Sequence, residues 1–403
     1  MIDIKDKKNC CGCSACKIVC PVEDCIKMLP DEEGFLYPKA NAGCCVECGL
    51  CEMVCPVLNP VEEKPLAQEA YLVQNKDERI RAESTSGGAF SAIASYVLQR
   101  GGAVFGAVMN DEHKVSHGYT EQESGLRHFR NSKYVQSRMG ENFRIAERFL
   151  RGGRPVCFSG APCQIEGFAQ YLGRGYDNLI LVDVVCRAVA SPLVFAKYIS
   201  WQKQKIGRDF GKVRFRDKRF YGYRYSQITI SEKDAENQVI YHGGVESDPY
   251  LRAFFSDICQ RPSCHDCKFR KLHRISDFTL SDCFEPDTHA PELDDGKGTT
   301  RLLIHSEKGR AVFREIKSKL RYIKLKPEEA VKGLRELREP LPESPRRREF
   351  FKDLNQLEPA ELFEKYFPDT LSVRAERGAR RAAHAMGFYK YMRKAYRKLK
   401  GKE

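Results

Sequence analysis

The first 56 residues contain one cysteine phrase twice, and each copy has the form Cys-x2-Cys-x2-Cys-x3-Cys-Pro. The first copy runs from Cys10 to Pro21 and the second from Cys45 to Pro56. In bacterial ferredoxins, three thiolates of such a phrase bind one [4Fe–4S] cluster and the fourth binds the other cluster. The spacing therefore predicts a small dicluster ferredoxin-like domain over residues 1–58, which carries single electrons.

The crossing rule divides the eight cysteines into two ligand sets. The sets are Cys10, Cys13, Cys16 and Cys55, and Cys20, Cys45, Cys48 and Cys51. Zinc sites usually have two Cys-x2-Cys pairs and a longer loop, so the triple spacing fits zinc poorly. Disulfide scaffolds belong to small secreted domains, and Met1-Ile-Asp-Ile-Lys5 leads into no apolar signal segment. The remaining cysteines of this region are predicted to be packing or supporting residues: Cys11, Cys25 and Cys44.

The full chain has 403 residues and 18 cysteines, which leaves room for larger domains behind the ferredoxin module. A reducing cytoplasm is the expected location for so many free thiols. No stretch approaches the roughly 18–20 consecutive apolar residues that a membrane-spanning helix requires. The sequence therefore predicts a cytoplasmic protein.

The net charge of +13 is concentrated in the last segment of the chain. Residues 373–403 hold 11 Lys and Arg against 2 Asp and Glu, whereas residues 1–372 hold 57 against 53. Because the body is almost balanced, no nucleic-acid partner is expected. The tail is predicted to be a basic amphipathic helix with one apolar face, formed by Phe388, Met392, Ala395 and Leu399. Such a helix binds an anionic membrane surface, packs on its own domain or stays a loose tail, and the pattern leaves these readings open.

From residue 69 onward, short apolar strands alternate with helical segments. This alternation predicts an α/β (α+β) fold with a largely parallel sheet behind the ferredoxin module. We divide it into an N-terminal region, 69–150, and a C-terminal region, 151–350. The predicted elements are strands at Ala70, Ala103–Met109, Pro155–Phe158 and Asn178–Val185, and helices at Ala89–Gln99 and Cys163–Leu172.

Four further cysteines are candidate ligands. Cys163 lies in a turn between a predicted strand and a predicted helix, and Cys186 ends the next strand. Both therefore belong to the carboxyl edge of one sheet, where α/β proteins bind their ligands. Cys264 and Cys267 would complete a four-cysteine site. The spacing fits zinc or iron–sulfur, and buried thiols without a ligand are the third reading.

Two segments have the composition of anion sites. The Ser84–Gly88 turn leaves backbone N–H groups free at a helix start, as a phosphate cradle or an ordinary helix cap would. The basic and aromatic stretch from Lys212 to Arg224 either grips an anionic substrate or forms a hairpin with solvated charges. The sequence contains neither a G-x-G-x-x-G fingerprint nor a G-x-x-x-x-G-K-[ST] loop, so no Rossmann NAD site or P-loop ATPase is expected.

Six phrases together resemble the coenzyme F420 hydrogenase/dehydrogenase beta subunit family, over about residues 70–350. They are Thr85-Ser-Gly-Gly88, Ser132-Lys-Tyr-Val-Gln-Ser137, Gly160-Ala-Pro-Cys-Gln164, Asp183-Val-Val-Cys186, Arg261-Pro-Ser-Cys-His-Asp-Cys267 and Asp294-Asp-Gly-Lys-Gly-Thr299. The resemblance implies a flavoprotein in which FAD lies beside a third [4Fe–4S] cluster. The implied ligands of that cluster are Cys163, Cys186, Cys264 and Cys267. The implied FAD contacts are Thr85, Ser86, Gly87, Gly88, Ser132, Lys133 and Tyr134.

The expected function is that of an iron–sulfur flavoprotein oxidoreductase. It passes electrons between ferredoxin-type clusters and FAD, with hydride or electron transfer to coenzyme F420 or another small acceptor. A redox partner protein or a small electron carrier is the expected partner. The alternative is a non-catalytic electron-transfer subunit of a larger redox complex.

The sequence assigns no catalytic acid or base, and it departs from the family at two places. Cys186-Arg187-Ala188 stands where the family often has Cys-His-Gly. Ser281-Asp-Cys-Phe-Glu285 replaces Gly-Asp-Phe-Trp-Gly, and Cys283 is there an alternative ligand. These departures bear on the substrate more than on the cofactors.

Overall fold

The computed structural model of the chain describes residues 1–65, 67–225, 227–392 and 395. The architecture is α/β, as the sequence predicts, with a large mixed sheet and two smaller ones. The strands are β1 (Ile26–Pro30), β2 (Leu36–Ala40), β3 (Glu69–Asn75), β4 (Ala103–Met109), β5 (Val115–Thr120), β6 (Val156–Gly160), β7 (Leu179–Val184), β8 (Val213–Arg214), β9 (Gln227–Glu232), β10 (Ala235–Gly244), β11 (Phe278–Cys283), β12 (Thr299–Ile304) and β13 (Leu320–Leu325). The α-helices are α1 (Ala15–Val19), α2 (Leu50–Met53), α3 (Glu78–Glu83), α4 (Ala89–Leu98), α5 (Asn142–Arg151), α6 (Pro162–Leu172), α7 (Pro192–Ile206), α8 (Pro249–Phe255), α9 (Glu307–Ile316), α10 (Pro327–Val331), α11 (Arg347–Leu354), α12 (Pro359–Tyr366) and α13 (Leu371–Ala385).

The large sheet has the strand order β13-β3-β12-β11-β7-β6-β4-β5. Strands β4, β6, β7 and β11 run parallel, whereas β3, β5, β12 and β13 pair antiparallel with their neighbours. The prediction of a largely parallel sheet is therefore wrong. A tight turn joins β4 to β5 and leaves no room for the crossover that a parallel pair needs. Strand β12 likewise returns beside β11 without a helix of its own.

The parallel strands are buried on both faces because helices cover each side of the sheet. Cys157 of β6 faces the layer that contains α4 and α9. Its neighbours Val156 and Phe158 face α5 and α6, as the two-residue period of a strand requires. This layering places the start of α6, and with it Cys163, at the carboxyl edge of β6.

The N-terminal module consists of the β1–β2 hairpin and the short helices α1 and α2. It packs against α6 of the body, where Cys11, Cys13 and Ile18 share one apolar cluster with Phe168. Gly167 makes this approach possible, because a Cβ at that position would lie 2.8 Å from the Cβ of Cys13. The module is therefore packed on the body along α6.

The segment between the N-terminal module and β3 is also attached to the body. The Glu63 carboxylate accepts hydrogen bonds from the N–H groups of Leu272 and His273, each at 2.8 Å. The Lys271 ammonium donates to the Val61 carbonyl at 2.7 Å. These bonds connect the module to the loop that follows Cys267.

Outside the large sheet, α7, α8, α11 and α12 share an aromatic-rich apolar cluster with the small sheet β10-β9-β8. Helix α13 follows at the carboxyl end, and residues 389–392 form a further helical turn. None of the helices in the described part of the chain has the length and apolar character needed to cross a membrane.

Candidate redox site

Five cysteines of the N-terminal module line one cavity beside the β1–β2 hairpin. They are Cys25 and the four predicted ligands Cys20, Cys45, Cys48 and Cys51, which we call the outer set. Cys48 is exposed to solvent, whereas Cys51 is buried and accepts a hydrogen bond from the Ile2 N–H at 3.3 Å. Four thiols around one cavity fit a bound iron–sulfur cluster, and that they hold one remains a prediction.

The other four cysteines of the module form the inner set, Cys10, Cys13, Cys16 and Cys55. Cys10, Cys13 and Cys16 are buried: Cys13 packs in the cluster shared with the body, whereas Cys16 packs inside the module. Cys16 interacts electrostatically with Cys10 and Cys55, and also with Cys51 of the outer set. Burial raises the pKa of the Cys10 thiol to about 11, although the nearby Arg261 guanidinium favours the thiolate. The module thus brings its two sets close together, with the inner one shielded from water.

The third set consists of Cys163, Cys186, Cys264 and Cys267. Cys163 is the second residue of α6, Cys186 follows β7 by two residues, and the other two lie in the loop after α8. Cys163 interacts with Cys186 and Cys267, and Cys264 interacts with the same two thiols. Burial raises the pKa of Cys186 to about 11 and that of Cys264 to about 12. A bound metal would offset the cost of burying the thiolate form, because a coordinated thiol is deprotonated and its charge is balanced by the metal cation.

Single-ion metal sites are a separate question. Within the described ranges, no group of three or more His, Cys, Asp or Glu side chains is arranged to hold one metal ion. Thiolates of a four-iron cluster bind different irons and stand farther apart than thiolates that share one ion.

Cys11 lies between the inner and third sets, and the amino-acid sequence does not indicate this position. Cys11 packs in one apolar cluster with Cys13 and Cys163, and its thiol interacts with both of theirs. Its carbonyl accepts a hydrogen bond from the Gln136 amide at 3.1 Å. Gln136 belongs to the Ser132–Ser137 phrase, so the two cysteine sets and one of the predicted flavin segments meet here.

The two predicted flavin segments lie side by side. The Ser132 N–H donates to the Thr85 hydroxyl at 2.7 Å, and the two hydroxyls are 3.0 Å apart. Gly87 packs against the sheet, because a Cβ there would lie 2.3 Å from the Val73 carbonyl oxygen. The Gly87 N–H donates to the Thr300 hydroxyl at 2.8 Å, so this group already has a partner. Whether these residues contact FAD stays a prediction.

Two buried ammonium groups lie beside these segments. Lys218 donates hydrogen bonds to the carbonyls of Arg81, Ser86 and Lys297, at 2.6–2.9 Å. Lys133 likewise donates to backbone carbonyls, at 2.7 and 3.1 Å. Burial and nearby cations lower the pKa of each amine to about 7. A concentration of cations at this place fits the diphosphate of FAD.

An aromatic and charged cluster lies next to Lys218. The Arg216 guanidinium donates to the Asp282 carboxylate at 2.9 Å and approaches the Tyr134 hydroxyl at 3.4 Å. Tyr134 stacks on Phe254 with 4.4 Å between ring centroids. One Arg216 Nη atom is buried with no hydrogen-bond partner in the described structure. Asp282 is the penultimate residue of β11. It belongs to the phrase that departs from the family, so this cluster lies at one of the two places where the sequence differs from the family.

Several conspicuous residues near Cys186 have structural partners. The buried Asp183 carboxylate accepts hydrogen bonds from Arg274 at 3.0 Å and from Thr279 at 2.6 Å. Arg187 forms a salt bridge to Asp257 at 2.8 Å. These contacts position the segment that carries Cys186. Cys283 instead packs in a different apolar cluster, with Ala70 and Leu303.

The basic tail docks on the body through two side chains. Tyr389 is buried, and Lys390 bridges Asp287 at 2.9 Å and Asp294 at 2.8 Å. Phe388 and Tyr391 remain exposed. Of the predicted helix, Leu399 and the basic residues from Arg393 onward lie outside the described residues.

Residues 153–331 match the family model that describes the carboxyl terminus of the coenzyme F420 hydrogenase/dehydrogenase beta subunit. These residues are similar to that part of the family, and we call them the beta-subunit region. The matched residues include the four cysteines of the third set and both Arg216 and Lys218. The Thr85–Gly88 and Ser132–Ser137 segments precede them.

Comparisons with solved structures and with curated proteins found weaker similarity or none. The chain is similar to a chain in the solved structure "Xenon derivatization of the F420-reducing [NiFe] hydrogenase complex from Methanosarcina barkeri". The identity is 15% and the TM-score 0.44, over 77% of this chain and 97% of that chain. Curated proteins gave no match. The beta-subunit region itself therefore rests on the family match.

Proposed function

We propose that this chain is an FAD- and [4Fe–4S]-dependent oxidoreductase. It passes electrons between ferredoxin-type clusters and FAD, and then to coenzyme F420 or another small acceptor. The three cysteine sets would hold the clusters, and Lys133, Lys218 and the Thr85–Ser132 pair would hold the flavin. When bound, the clusters supply one-electron chemistry and the flavin supplies two-electron chemistry.

One observation carries this proposal, namely the packing of Cys11 in one apolar cluster with Cys13 and Cys163. It joins the ferredoxin-like module to the beta-subunit region at the point where cysteines of both meet. A module that served only for stability would have no need of thiols there. Gln136 extends the contact toward the Ser132–Ser137 segment.

The residues of the chain then have distinct tasks. Packing of α1 on α6 excludes water from the inner set and fixes its distance from the third set. Lys218 holds the Thr85–Gly88 turn against the Asp294–Thr299 loop through the Ser86 and Lys297 carbonyls. Arg216 is paired with Asp282 but keeps one Nη atom without a hydrogen-bond partner in the described structure. This donor fits an acceptor with an anionic group.

The second candidate is the electron-transfer subunit, and the surface around the outer set favours a protein partner. Val46, Met53 and Leu58 are exposed apolar side chains near the exposed Cys48. A redox protein that docks there would come close to the outer set. With 18 cysteines to keep reduced, we place the chain in the cytoplasm.

Anaerobic purification followed by iron, sulfide and flavin analysis tests the cofactor assignment. Three clusters and one flavin predict about twelve irons and one FAD per chain. About eight irons together with zinc would overturn the assignment of the third set. Absence of flavin from protein purified with added FAD would overturn the oxidoreductase proposal.

A steady-state assay separates the two candidate functions. The isolated chain is given reduced ferredoxin or dithionite and a panel of acceptors that includes coenzyme F420. Turnover by the chain alone supports the enzyme, whereas turnover only with a co-purified protein supports the subunit.

A further inference from the structure

We propose that Arg261 is a positioning residue that places a permanent positive charge against the inner set and thereby raises its reduction potential. This inference rests on the proposed function, because it concerns a cluster bound by Cys10, Cys13, Cys16 and Cys55. It assigns a role to a residue outside all three sets.

Arg261 is fully buried, with 0% of its surface exposed, and its guanidinium faces the first cysteine phrase. Its Nε donates to the Cys10 carbonyl at 2.7 Å, and one Nη lies 3.5 Å from the Cys10 Sγ. The same Nη donates to the Leu36 carbonyl at 3.0 Å, and the other donates to the Gln136 side chain at 2.9 Å. The hydrogen bonds thus fix the guanidinium on the loop that begins the inner set.

These partners leave the charge of Arg261 without a carboxylate. Its hydrogen bonds reach two carbonyls, an amide oxygen and a thiol, and in the described part of the chain it forms no salt bridge. Burying an unpaired charge is costly, so buried arginines normally face an anion. A thiolate-ligated cluster beside Cys10 supplies that negative charge.

The surroundings also hold the guanidinium in place. It lies over the Tyr37 ring at 4.2 Å from the centroid. A Cβ on Gly12 would lie 2.9 Å from one Nη atom and 2.5 Å from the Gln136 amide nitrogen. Gly12 therefore allows the cysteine loop to close on Arg261, and the distance between the charge and the inner set is constant.

The position of Arg261 in the chain connects the inner and third sets. Its N–H donates to the Val189 carbonyl at 3.0 Å, and Cys264 follows in the next helical turn. The backbone that carries a ligand of the third set therefore also carries the charge beside the inner set. Tertiary structure alone reveals this, since Arg261 is 251 residues from Cys10 in sequence.

The consequence for electron transfer follows from charge. A cluster becomes more negative by one charge when it is reduced, so a fixed cation beside it stabilises the reduced form. In a buried place this effect is large because water does not screen it. We therefore expect Arg261 to raise the potential of the inner cluster and to leave the outer cluster almost unchanged.

The test is a potentiometric titration followed by electron paramagnetic resonance, on anaerobically purified full-length protein. We expect Arg261→Met to lower the midpoint potential of the inner cluster and Arg261→Lys, which keeps the charge, to restore most of the shift. Titrations in Cys48→Ser and Cys264→Ser backgrounds assign each signal to its cluster. An unchanged inner potential in Arg261→Met with full iron content would overturn the proposal.

A second variant serves if Arg261→Met does not fold. Gln136→Glu keeps the size of the side chain but places a carboxylate 2.9 Å from the guanidinium. We expect the inner potential to fall because the charge of Arg261 is then compensated, and an unchanged potential would contradict its role.

The matched control is Arg347→Met. Arg347 is also a buried arginine, but it forms a salt bridge with Glu33. Its loss should change stability and leave all three potentials unchanged. Wild-type protein that binds no cluster in the inner set would refute the proposed function. This inference is refuted only if that cluster is bound and its midpoint potential does not depend on Arg261.

Discussion

The outer and third cysteine sets are both proposed cluster sites, but they are assembled in opposite ways. The outer set comes from one module of 56 residues, lies next to solvent and has an exposed member in Cys48. The third set comes from three separate segments of the beta-subunit region and is half-buried between α6 and the loop after α8. Cysteines that are close in sequence come together when their own loop folds, whereas those of the third set come together only when the large sheet has formed.

This difference predicts how each site responds to damage. A substitution in the outer set affects one loop, so the rest of the molecule should keep its cofactors. The third set shares Cys11 and Arg261 with the inner set. Substitutions in the third set should therefore also affect the inner set.

The largest effect is expected for Cys264→Ser. Loss of one of four thiolates should remove the third cluster and lower the iron content from about twelve to about eight per chain. Flavin reduction through the ferredoxin-like module should stop, and the signals of the outer and inner clusters should remain. Iron analysis and rapid-mixing spectroscopy measure both. Cys259→Ser, at a buried cysteine outside all three sets, is the matched control. Unchanged iron in Cys264→Ser would show that Cys264 is no ligand.

Cys48→Ser should have a smaller and more selective effect. The outer cluster is lost, again about four irons, but the inner and third clusters stay because their thiols lie elsewhere. Reduction of the flavin by a protein donor should slow strongly, whereas reduction by dithionite should change little. Equal slowing with both donors would show that the outer set is not the docking end.

Lys218→Met should weaken FAD binding by about tenfold, since it removes a positive charge and the hydrogen bonds to the Ser86 and Lys297 carbonyls that position the flavin segments. In the wild type, the amine with a pKa of about 7 is charged below that pH and neutral above it. FAD affinity should therefore fall as the pH rises through about 7, and less so in the variant. Titration of apoprotein with FAD, followed by flavin fluorescence, measures this.

Two controls accompany the titration. Lys218→Arg should keep most of the affinity. Lys297→Met removes an exposed amine of the Asp294–Thr299 loop that is paired with Glu78, and this variant should bind FAD as the wild type does. Equal affinity in Lys218→Met and the wild type would place the diphosphate elsewhere.

The smallest effect concerns the tail. Deletion of residues 386–403 should leave iron, flavin and turnover nearly unchanged, because Tyr389 and Lys390 contact only the rim of the body. If the tail binds membranes, co-sedimentation with anionic vesicles should be lost in the deletion and reduced by salt. No sedimentation of the full chain would favour a tail packed on its own domain.

Local patterns predicted much of the fold. The helix that starts at Ala89 and the strand Ala103–Met109 are present at those positions, because apolar periodicity and flanking glycines act within a few residues. The direction of β3, β12 and β13 was not predictable in this way. An apolar strand reads the same in either direction, and only its neighbours in the sheet decide whether a pair is parallel.

The site shows the same limit. The spacing of the doubled phrase groups the cysteines of the module, and the family resemblance groups the third set. Neither indicates Arg261 or Cys11, because their partners lie far away in sequence. The effect of a buried charge depends on the groups around it, and the groups around Arg261 are distant from it in sequence. The Arg261-Pro-Ser-Cys264 phrase was the one available signal.

The packing of Cys13 against Gly167 has a consequence for how the protein is made. Once α1 lies on α6, no room remains for a scaffold protein to deliver iron and sulfide to Cys13. A cluster bound by the inner set would therefore have to be inserted before the module closes on the body, whereas the exposed Cys48 would leave an outer cluster open to late loading and repair. Maturation would proceed from the inside outward, and a chain that closed too early would be trapped without its central cofactor.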